Sequence, residues 1–499
     1  MHRESAGREQ PDLVCHSVRD RILLFNSLTF FAFIALFLPV FFLARGRIRL
    51  LWTLGASYAF YGWWDWRFLF LIGTSTLFDY AIGRWLDVTE EPGRRRILVS
   101  TSVVVNLAIL GFFKYFNFFA SSLESLATSL GITLSWTTLN IILPVGISFY
   151  TFQGLSYTID VYRRRCPPEL SLLRYATFVA LFPQLVAGPI VRAADLLPQL
   201  HRDLPFDWQR ARYAIELIAW GFFLKLVLAD TIGFQMRSDP WFENPERFSA
   251  LGNLLGVLLF SFQIYGDFAG YSLIAIGLGH LMGYEFGINF RRPYFAASFS
   301  EFWQRWHISL SSWLRDYLYI PLGGNRGGRR QTQRNLLITM ILGGLWHGAA
   351  WTFVIWGTLH GLYLIVSHAV ERRVHKLQPA LRSRLRPLRF LAIAIVFILT
   401  ALAWIFFRAP SLDHAVTMLA RILTLADPGM TVSHDKIGLV KCLIAVALVI
   451  AADAGMETSR FRSTYLASGL WRAAGLMAIL WGIALLGTFS GTEFIYFQF

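Results

Sequence analysis

The sequence predicts an all-α polytopic membrane protein, and three observations lead to that fold class. Hydrophobic residues make up 55% of the 499 residues, and charged residues only 15%. Apolar runs recur from residue 29 to the C-terminus, and a helix needs about 20 apolar residues to cross the hydrocarbon core of a bilayer. No polar linker divides the chain into soluble domains. Because lipid cannot hydrogen-bond the backbone, apolar spans of this length are expected to be helices.

We predict about 11 transmembrane helices, accompanied by re-entrant and interfacial helices. They form one membrane domain over residues 23–499, behind a polar N-terminal extension at 1–22. No small-residue cleavage site follows the first apolar run, so we expect an uncleaved first helix. The clear spans are 29–44, 50–63, 68–82, 97–113, 139–159, 213–232, 350–368, 390–407, 437–452 and 473–489. Shorter apolar segments lie at 175–191, 249–264, 270–284 and 335–346.

The basic residues indicate how these spans are oriented. A net charge of +15 would point to nucleic acid in a soluble protein, but here the basic residues sit in short loops beside apolar spans. This is the positive-inside pattern, and it requires no nucleic-acid partner. Arginine clusters at 45–49, 94–96 and 163–165 alternate with loops of low charge. We therefore predict that the N-terminal side lies outside and the arginine-rich loops lie in the cytoplasm.

Two later basic blocks, at 286–334 and 371–389, are also predicted to be cytoplasmic. The chain between them must enter the membrane and return. Its first arm, 335–346, would rise ~18 Å as a helix, a little over half of the hydrocarbon core. His347 stands at the turn, so we expect it at depth in the membrane.

His347 is the first candidate catalytic residue, in the run Gly343-Gly-Leu-Trp-His-Gly348. Glycines permit a tight bend and a close approach of the backbone. A dry site favours the neutral imidazole, which can take a proton from a hydroxyl that attacks a thioester carbonyl. The alternative is a buried histidine that only hydrogen-bonds neighbouring helices.

His307 is the second candidate, within the segment 298–317. Ser298 and Glu301 have capping-box spacing, and large apolar residues then recur every three or four positions. The pattern predicts an amphipathic helix at the cytoplasmic boundary, with His307 at the edge of the apolar stripe, between membrane and water. An interfacial helix whose histidine is incidental explains the same spacing. The stripe consists of Phe299, Trp303, Trp306, Leu310, Trp313 and Tyr317.

The segment 175–191 contains Pro183 and the pair Gly188-Pro189, and basic residues flank both of its ends. We predict a re-entrant loop that enters and leaves by the same face. Such a loop has to be buried in protein, because lipid cannot satisfy a broken backbone. An ordinary kinked helix is the alternative.

A loop rich in glycine and arginine follows at 320–330. Backbone of this kind can cradle phosphates, so Asn325 and Arg326 are candidate contacts for the nucleotide part of an acyl donor. The loop matches neither the P-loop nor the dinucleotide fingerprint. A plain basic loop explains it equally well.

The remaining polar residues of the apolar segments carry weaker expectations. Asp267 is expected in a turn between two short segments, where it pairs with an arginine, orients a histidine or is simply hydrated. Lys225 and Asp230 interrupt a span and receive no role. His280 and His360 are interpreted as packing residues. The three cysteines fit no paired or metal-ligand spacing, so no metal is expected.

With these motifs in place, the chain resembles the membrane-bound O-acyltransferase family, in the bacterial polysaccharide branch typified by alginate O-acetyltransferase. The resemblance spans nearly the whole chain. The order and spacing of the motifs carry it, more than any single motif does. The resembling segments are 25–30, 143–153, 182–190, 265–271, 303–325, 346–348 and 494–499.

The resemblance implies a helical body with a tunnel across the membrane. His347 would match the catalytic histidine of the family, and His307 the second, more cytoplasmic histidine of this branch. The donor would be acetyl-CoA, with no permanently bound cofactor, and the acceptor an exopolysaccharide outside the bacterial inner membrane. Periplasmic or membrane-anchored acetyltransferase partner proteins would assist, and the loop-like residues 408–436 are a candidate surface for them.

Other functions stay open at this point. The same chemistry could transfer D-alanyl from a carrier protein, or acetyl to peptidoglycan or cellulose. A transporter or flippase of polysaccharide or lipid-linked sugar would need intramembrane carboxylates along a path, and Asp79 and Glu216 are few for that purpose. The third alternative is a non-catalytic scaffold of an export complex.

Overall fold

The structure, a computed structural model, describes residues 25–133, 139, 141–185, 188–376, 386–489 and 494–495. All regular secondary structure within these ranges is helical, which confirms the predicted all-α class. The predicted N-terminal extension, 1–22, lies outside the described residues.

Three of the described helical segments contain or adjoin a π-helical turn. These turns are Gly111–Tyr115, Phe223–Ala229 and Arg315–Tyr319. The α-helices are α1 (Leu28–Leu43), α2 (Gly46–Asp65), α3 (Arg67–Val88), α4 (Pro92–Leu110), α5 (Phe116–Ser129), α6 (Ile147–Tyr162), α7 (Leu172–Ala180), α8 (Phe182–Leu185), α9 (Ala193–Leu200), α10 (Trp208–Phe222), α11 (Asp230–Ser238), α12 (Ala250–Met282), α13 (Phe299–Trp303), α14 (Ile308–Leu314), α15 (Gly328–His347), α16 (Trp351–His375), α17 (Arg389–Arg408), α18 (Leu412–Leu423), α19 (Lys436–Glu457), α20 (Ser459–Ala467) and α21 (Gly469–Leu486).

Seven helices of the described chain are long and apolar enough to cross a membrane. These helices differ in how far they are buried in protein. In the central helix α12, 83% of the most apolar stretch is buried, whereas in the peripheral helix α21 none of the most apolar stretch is buried. The centre of the molecule is thus built around α12, which packs against α10 and the π turn after it. The seven are 92–129, 208–238, 250–282, 351–375, 389–408, 436–457 and 469–486.

The prediction of two short segments at 249–264 and 270–284 was wrong, because they form the single helix α12. The intervening glycines serve close packing instead of a turn. A Cβ on Gly266 would lie 2.7 Å from the Leu228 side chain, and one on Gly270 would lie 2.8 Å from the Gly221 carbonyl oxygen. Asp267 therefore lies in the middle of a buried helix and not in a wet turn.

The segment 175–191 is broken and buried in protein, as predicted for a re-entrant loop. Helix α7 ends at Ala180, α8 spans only four residues, and α9 then packs back against α7. Side chains bond two of the backbone groups that the break leaves without a helical partner. The Phe182 N–H donates to Ser57 Oγ at 3.2 Å, and Gln184 Nε2 donates to the Phe178 carbonyl at 2.7 Å. The alternative of one kinked helix was wrong.

Residues 408–436 were predicted to be a loop, but they contain the twelve-residue helix α18. Ser411 is its N-cap, and its hydroxyl oxygen accepts a hydrogen bond from the His414 N–H at 3.3 Å. Ala415 and Met418 are buried on one face of the helix. The three-residue spacing of these apolar residues, behind a serine cap, was the missed sequence signal.

Candidate active site

The segment that carries His307 differs from its prediction. Ser298 caps a helix as its spacing indicated, since its Oγ accepts from the Glu301 N–H at 3.2 Å. However, that helix, α13, ends at Trp303, and α14 begins only at Ile308. The aromatic stripe packs inside the protein, so a single amphipathic helix at the membrane boundary was a wrong prediction. Apolar periodicity alone does not distinguish a lipid-facing stripe from one that faces protein.

His307 lies at the break between these two helices and is fully buried, not between membrane and water. Its backbone has a φ of 43°, in the left-handed region. Its Nδ1 lies 3.2 Å from Asn289 Oδ1, and Asn289 Nδ2 in turn donates to Ser272 Oγ at 2.9 Å. An amide oxygen accepts hydrogen bonds, so the proton is on Nδ1 and the lone pair is on Nε2. This Nε2 has no hydrogen-bond partner among the described residues.

His347 is the last residue of α15 and is only 4% exposed. Aromatic rings surround the imidazole, with centroids at 5.0 Å for Trp346, 5.1 Å for Trp356 and 5.3 Å for Phe407. The His307 ring centroid lies 6.4 Å away. The structure thus brings the two predicted histidines together in an aromatic setting. Such a setting favours neutral imidazole over imidazolium, because it replaces water around the ring.

The backbone beside His347 is held by the π turn at Gly111–Tyr115. Lys114 Nζ donates to the carbonyl oxygens of Trp346 at 2.6 Å and His347 at 3.0 Å. The Tyr115 hydroxyl donates to the Leu345 carbonyl at 2.7 Å. The last carbonyls of a helix have no partner within the helix, and a cation there also complements the helix dipole. We call Lys114 and Tyr115 the carbonyl clamp.

The structure does not place Asn325 and Arg326 near the histidines. They lie in the exposed loop before α15, whose 20 residues span ~30 Å from this loop to His347. The Tyr319 hydroxyl donates a hydrogen bond to Asn325 Oδ1. The loop turns at Gly323 and Gly324, which have φ values of 109° and 54°. It lies at the end of α15 opposite to the one that carries His347.

A third histidine, His360, lies on α16 within the same aromatic region. Its ring centroid is 4.7 Å from that of Trp356 and 5.2 Å from that of Trp303. It is fully buried, and neither ring nitrogen has a hydrogen-bond partner among the described residues. These surroundings fit the packing role interpreted from the sequence.

Lys225, Asp230 and Asp267 form a buried ion cluster, although the sequence analysis assigned no role to Lys225 and Asp230. Lys225 Nζ lies 2.8 Å from Asp230 Oδ1 and 2.7 Å from Asp267 Oδ1. Asp267 Oδ2 accepts a hydrogen bond from the Ile495 N–H at 2.6 Å. The cluster therefore ties α12 to the π turn after α10 and to the C-terminal residues. The expected options for Asp267 did not include a lysine partner.

The clamp residue Lys114 and the His307 partner Asn289 were both missed. The predicted span 97–113 ends just before Lys114, whereas Lys114 lies inside the continuous helical segment Pro92–Ser129. A lone cation in an apolar stretch, Phe112-Phe-Lys-Tyr-Phe116, was the available signal. Asn289 lies in an irregular segment before His307, and no local pattern links the two residues.

Known proteins are similar to much of this chain. The model of the membrane-bound O-acyltransferase family matches residues 167–407, a range that contains both His307 and His347. A probable alginate O-acetylase of Azotobacter vinelandii is 43% identical over 410 residues, which cover 81% of this chain and 79% of that protein. A peptidoglycan O-acetyltransferase of Helicobacter pylori is 35% identical, over 83% of this chain and 82% of the relative. A teichoic acid D-alanyltransferase of Bacillus subtilis is 28% identical, over 55% and 71%.

The level of identity and the breadth of the aligned region together settle the family. Two of these relatives exceed one third identity over about four fifths of the chain. The described helices include seven of membrane-spanning length and composition, as a multi-pass member requires. The chain therefore belongs to the membrane-bound O-acyltransferase family and is a multi-pass membrane O-acyltransferase.

Proposed function

We propose that the chain passes acetyl from cytoplasmic acetyl-CoA across the bacterial inner membrane, for O-acetylation of an alginate-like polysaccharide outside it. The observation that carries the proposal is the pair of buried histidines, His307 and His347, with ring centroids 6.4 Å apart. Buried, aromatic surroundings exclude the water that would otherwise hydrolyse a thioester. No cofactor is held permanently, and acetyl-CoA acts as a substrate.

His347 acts as the general base. The acceptor oxygen bonds to the acetyl carbonyl carbon while its proton passes to the imidazole. The carbon–sulfur bond then breaks, and the imidazolium returns the proton to the departing thiolate, which leaves as free CoA. His307 assists on the donor side. The carbonyl clamp supports this mechanism, because Lys114 and Tyr115 fix the backbone of the residues that carry the base.

The donor approaches from the cytoplasmic side, where Asn325 and Arg326 contact its nucleotide phosphates. The distance of ~30 Å along α15 has to be bridged by the donor's arm or by movement of the loop. The acceptor hydroxyl arrives from the other side, presented by the polymer or by a periplasmic or membrane-anchored acetyltransferase partner protein. The exposed part of α18 remains the proposed surface for such a partner.

Acetyl is favoured over D-alanyl by the relatives. Two O-acetyl-transferring relatives align with about four fifths of this chain at 43% and 35% identity, whereas a D-alanyltransferase aligns at 28% over 55% of it. A transport function receives less support. The buried carboxylate of Asp79 accepts hydrogen bonds from Ser102 and Asn106, both at 2.9 Å, which is typical of a structural contact.

The test is thioester consumption by the purified full chain in lipid nanodiscs. Radiolabelled acetyl-CoA and a D-alanyl carrier thioester are offered separately, with alginate oligosaccharide as the acceptor. We expect acetyl-CoA to be consumed, and His347→Ala to abolish consumption. The matched control is His280→Ala, which changes a histidine of α12 outside the aromatic site and should keep the wild-type rate.

Consumption of the D-alanyl thioester alone would replace the proposed donor. Movement of labelled polysaccharide across a vesicle membrane without consumption of either thioester would identify a transporter instead.

A further inference from the structure

A groove of 1070 Å³ lies between α16 and α17, away from the histidines. Its walls are almost entirely apolar, and its floor is the start of α13. The apolar wall includes Val366 and Val370 from α16, and Ile395 and Leu399 from α17. The polar residues gather at one end, where the C-terminal part of α16 meets the N-terminal part of α17.

The groove is expected to face the lipid, because its two helices are of membrane-spanning type and several of its wall residues are exposed. Val366 is 61% exposed and Ile395 is 48% exposed, and apolar side chains on the outside of such helices contact acyl chains. A groove of this kind in a bilayer is filled by hydrocarbon. Its apolar part therefore matches the chains of a membrane lipid.

The polar end of the groove carries positive charge. Arg389 and His375 line it, and Arg372 and Arg373 lie on the same last turn of α16 as His375. The side chain of Arg389 is 52% exposed. Two carboxylates offset part of this charge. Glu371 accepts hydrogen bonds from Ser367 and Ser300, both at 3.2 Å, and Glu301 pairs with Arg389. By the positive-inside rule this end lies at the cytoplasmic surface, at the level of lipid headgroups.

We propose that this groove is a binding site for one phospholipid with an anionic headgroup. The acyl chains lie between α16 and α17, and the headgroup phosphate contacts the Arg389 guanidinium. A zwitterionic lipid would fill the same apolar volume but would leave the arginines less well compensated. The inference does not depend on the acetyl-transfer proposal, since it concerns binding only.

The headgroup end is connected to the segment that carries His307. Arg389 Nη2 lies 3.0 Å from Glu301 Oε1, and the same oxygen lies 2.7 Å from Arg305 Nη2. Arg305 is two residues before His307. The Phe299 N–H at the start of α13 donates to Ser367 Oγ, on the groove wall, at 3.2 Å. A phosphate at Arg389 competes with Glu301, so lipid binding adjusts the anchoring of α13.

The test is native mass spectrometry of the detergent-purified full chain, offered phosphatidylglycerol and phosphatidylcholine in competition. We expect one retained lipid, with phosphatidylglycerol preferred about fivefold. Ala392→Trp, which fills the groove, should lose this lipid. Ala394→Trp is the matched control, because Ala394 is exposed on the same helix but does not line the groove, and it should retain the lipid.

A second pair of variants tests the role of the Arg389 charge without altering the apolar walls of the groove. This pair tests the proposal even if Ala392→Trp does not fold. Arg389→Gln should reduce the preference for phosphatidylglycerol to near one, whereas Arg94→Gln, at the exposed start of α4, should leave it unchanged. Equal lipid retention by the two tryptophan variants, or no preference in the wild type, would overturn the proposal. Displacement of the lipid by acetyl-CoA would overturn it as well and would make the groove a donor access route.

Discussion

Two buried polar clusters meet at neighbouring residues of α12, and they are built in opposite ways. Asp267 belongs to the ion cluster, in which Lys225 contacts two carboxylates at 2.7 and 2.8 Å. Phe268, the next residue, lies 4.5 Å from the ring of His307 between centroids. The histidine region is lined by aromatic rings, and Nε2 of His307 has no hydrogen-bond partner in the described chain.

This difference indicates that the ion cluster serves the stability of the fold and the histidine region serves the reaction. Removal of one partner of a buried charge pair strongly destabilises the folded protein, because the other charge is left uncompensated. Such a cluster fixes the fold. A buried neutral imidazole with a free lone pair is instead available to a substrate, at the cost of an unsatisfied polar atom. We therefore expect substitutions in the ion cluster to change stability and substitutions in the histidine region to change the rate.

The largest effect is expected from His347→Gln, which keeps most of the side-chain volume. Loss of the general base should lower kcat for acetyl transfer by ~10²- to 10⁴-fold. The unfolding temperature should stay close to that of the wild type, as measured by differential scanning fluorimetry in detergent. A variant with the wild-type rate would remove His347 from the mechanism.

Asp267→Asn should be the strongest purely structural change. It leaves Lys225 with less compensation and should cost ~3–5 kcal/mol in the free energy of unfolding. Thermal denaturation measures this cost, and the rate per folded molecule should remain near that of the wild type. The contrast between the clusters would fail if the folded fraction of Asp267→Asn lost as much kcat as His347→Gln.

Lys114→Met tests the carbonyl clamp as a positioning device. Release of the Trp346 and His347 carbonyls should misplace the imidazole and lower kcat ~10- to 100-fold, with little change in KM for acetyl-CoA. Lys114→Arg keeps the cation and should recover part of the rate. A change in KM alone, with kcat intact, would contradict a positioning role.

The smallest effect is expected from His360→Phe. Because both ring nitrogens of His360 have no partner among the described residues, an apolar ring of similar size should keep stability within ~1 kcal/mol and leave kcat unchanged. Steady-state kinetics and thermal denaturation check both quantities. A large loss of rate would extend the catalytic cluster to a third histidine.

Composition and hydrophobic runs were sufficient to predict the helical membrane class and the helical arm that ends at His347. They are properties of single segments and follow directly from burial in lipid. The break at 175–191 was also predictable, because proline and glycine act locally on the backbone.

Relations between segments were not predictable. Lys225 bonds to Asp267, which is 42 positions away in the sequence, and Lys114 bonds to the carbonyl of His347, which is 233 positions away. The continuity of α12 was missed for a related reason. The sequence analysis expected a turn at Asp267, whereas the glycines on either side of it allow another helix to approach closely. The burial of His307 was missed because a helical stripe looks the same whether it faces lipid or protein.

The left-handed backbone at His307 limits how this position could be rebuilt. At a φ of 43°, β-branched and bulky side chains are disfavoured, whereas asparagine and aspartate adopt the conformation readily. An engineer who replaces the imidazole while preserving the bend between α13 and α14 therefore has a narrow choice, and a carboxamide is the neutral group that fits it. The shape of the chain, before any reaction is considered, restricts this site to short polar side chains or an imidazole.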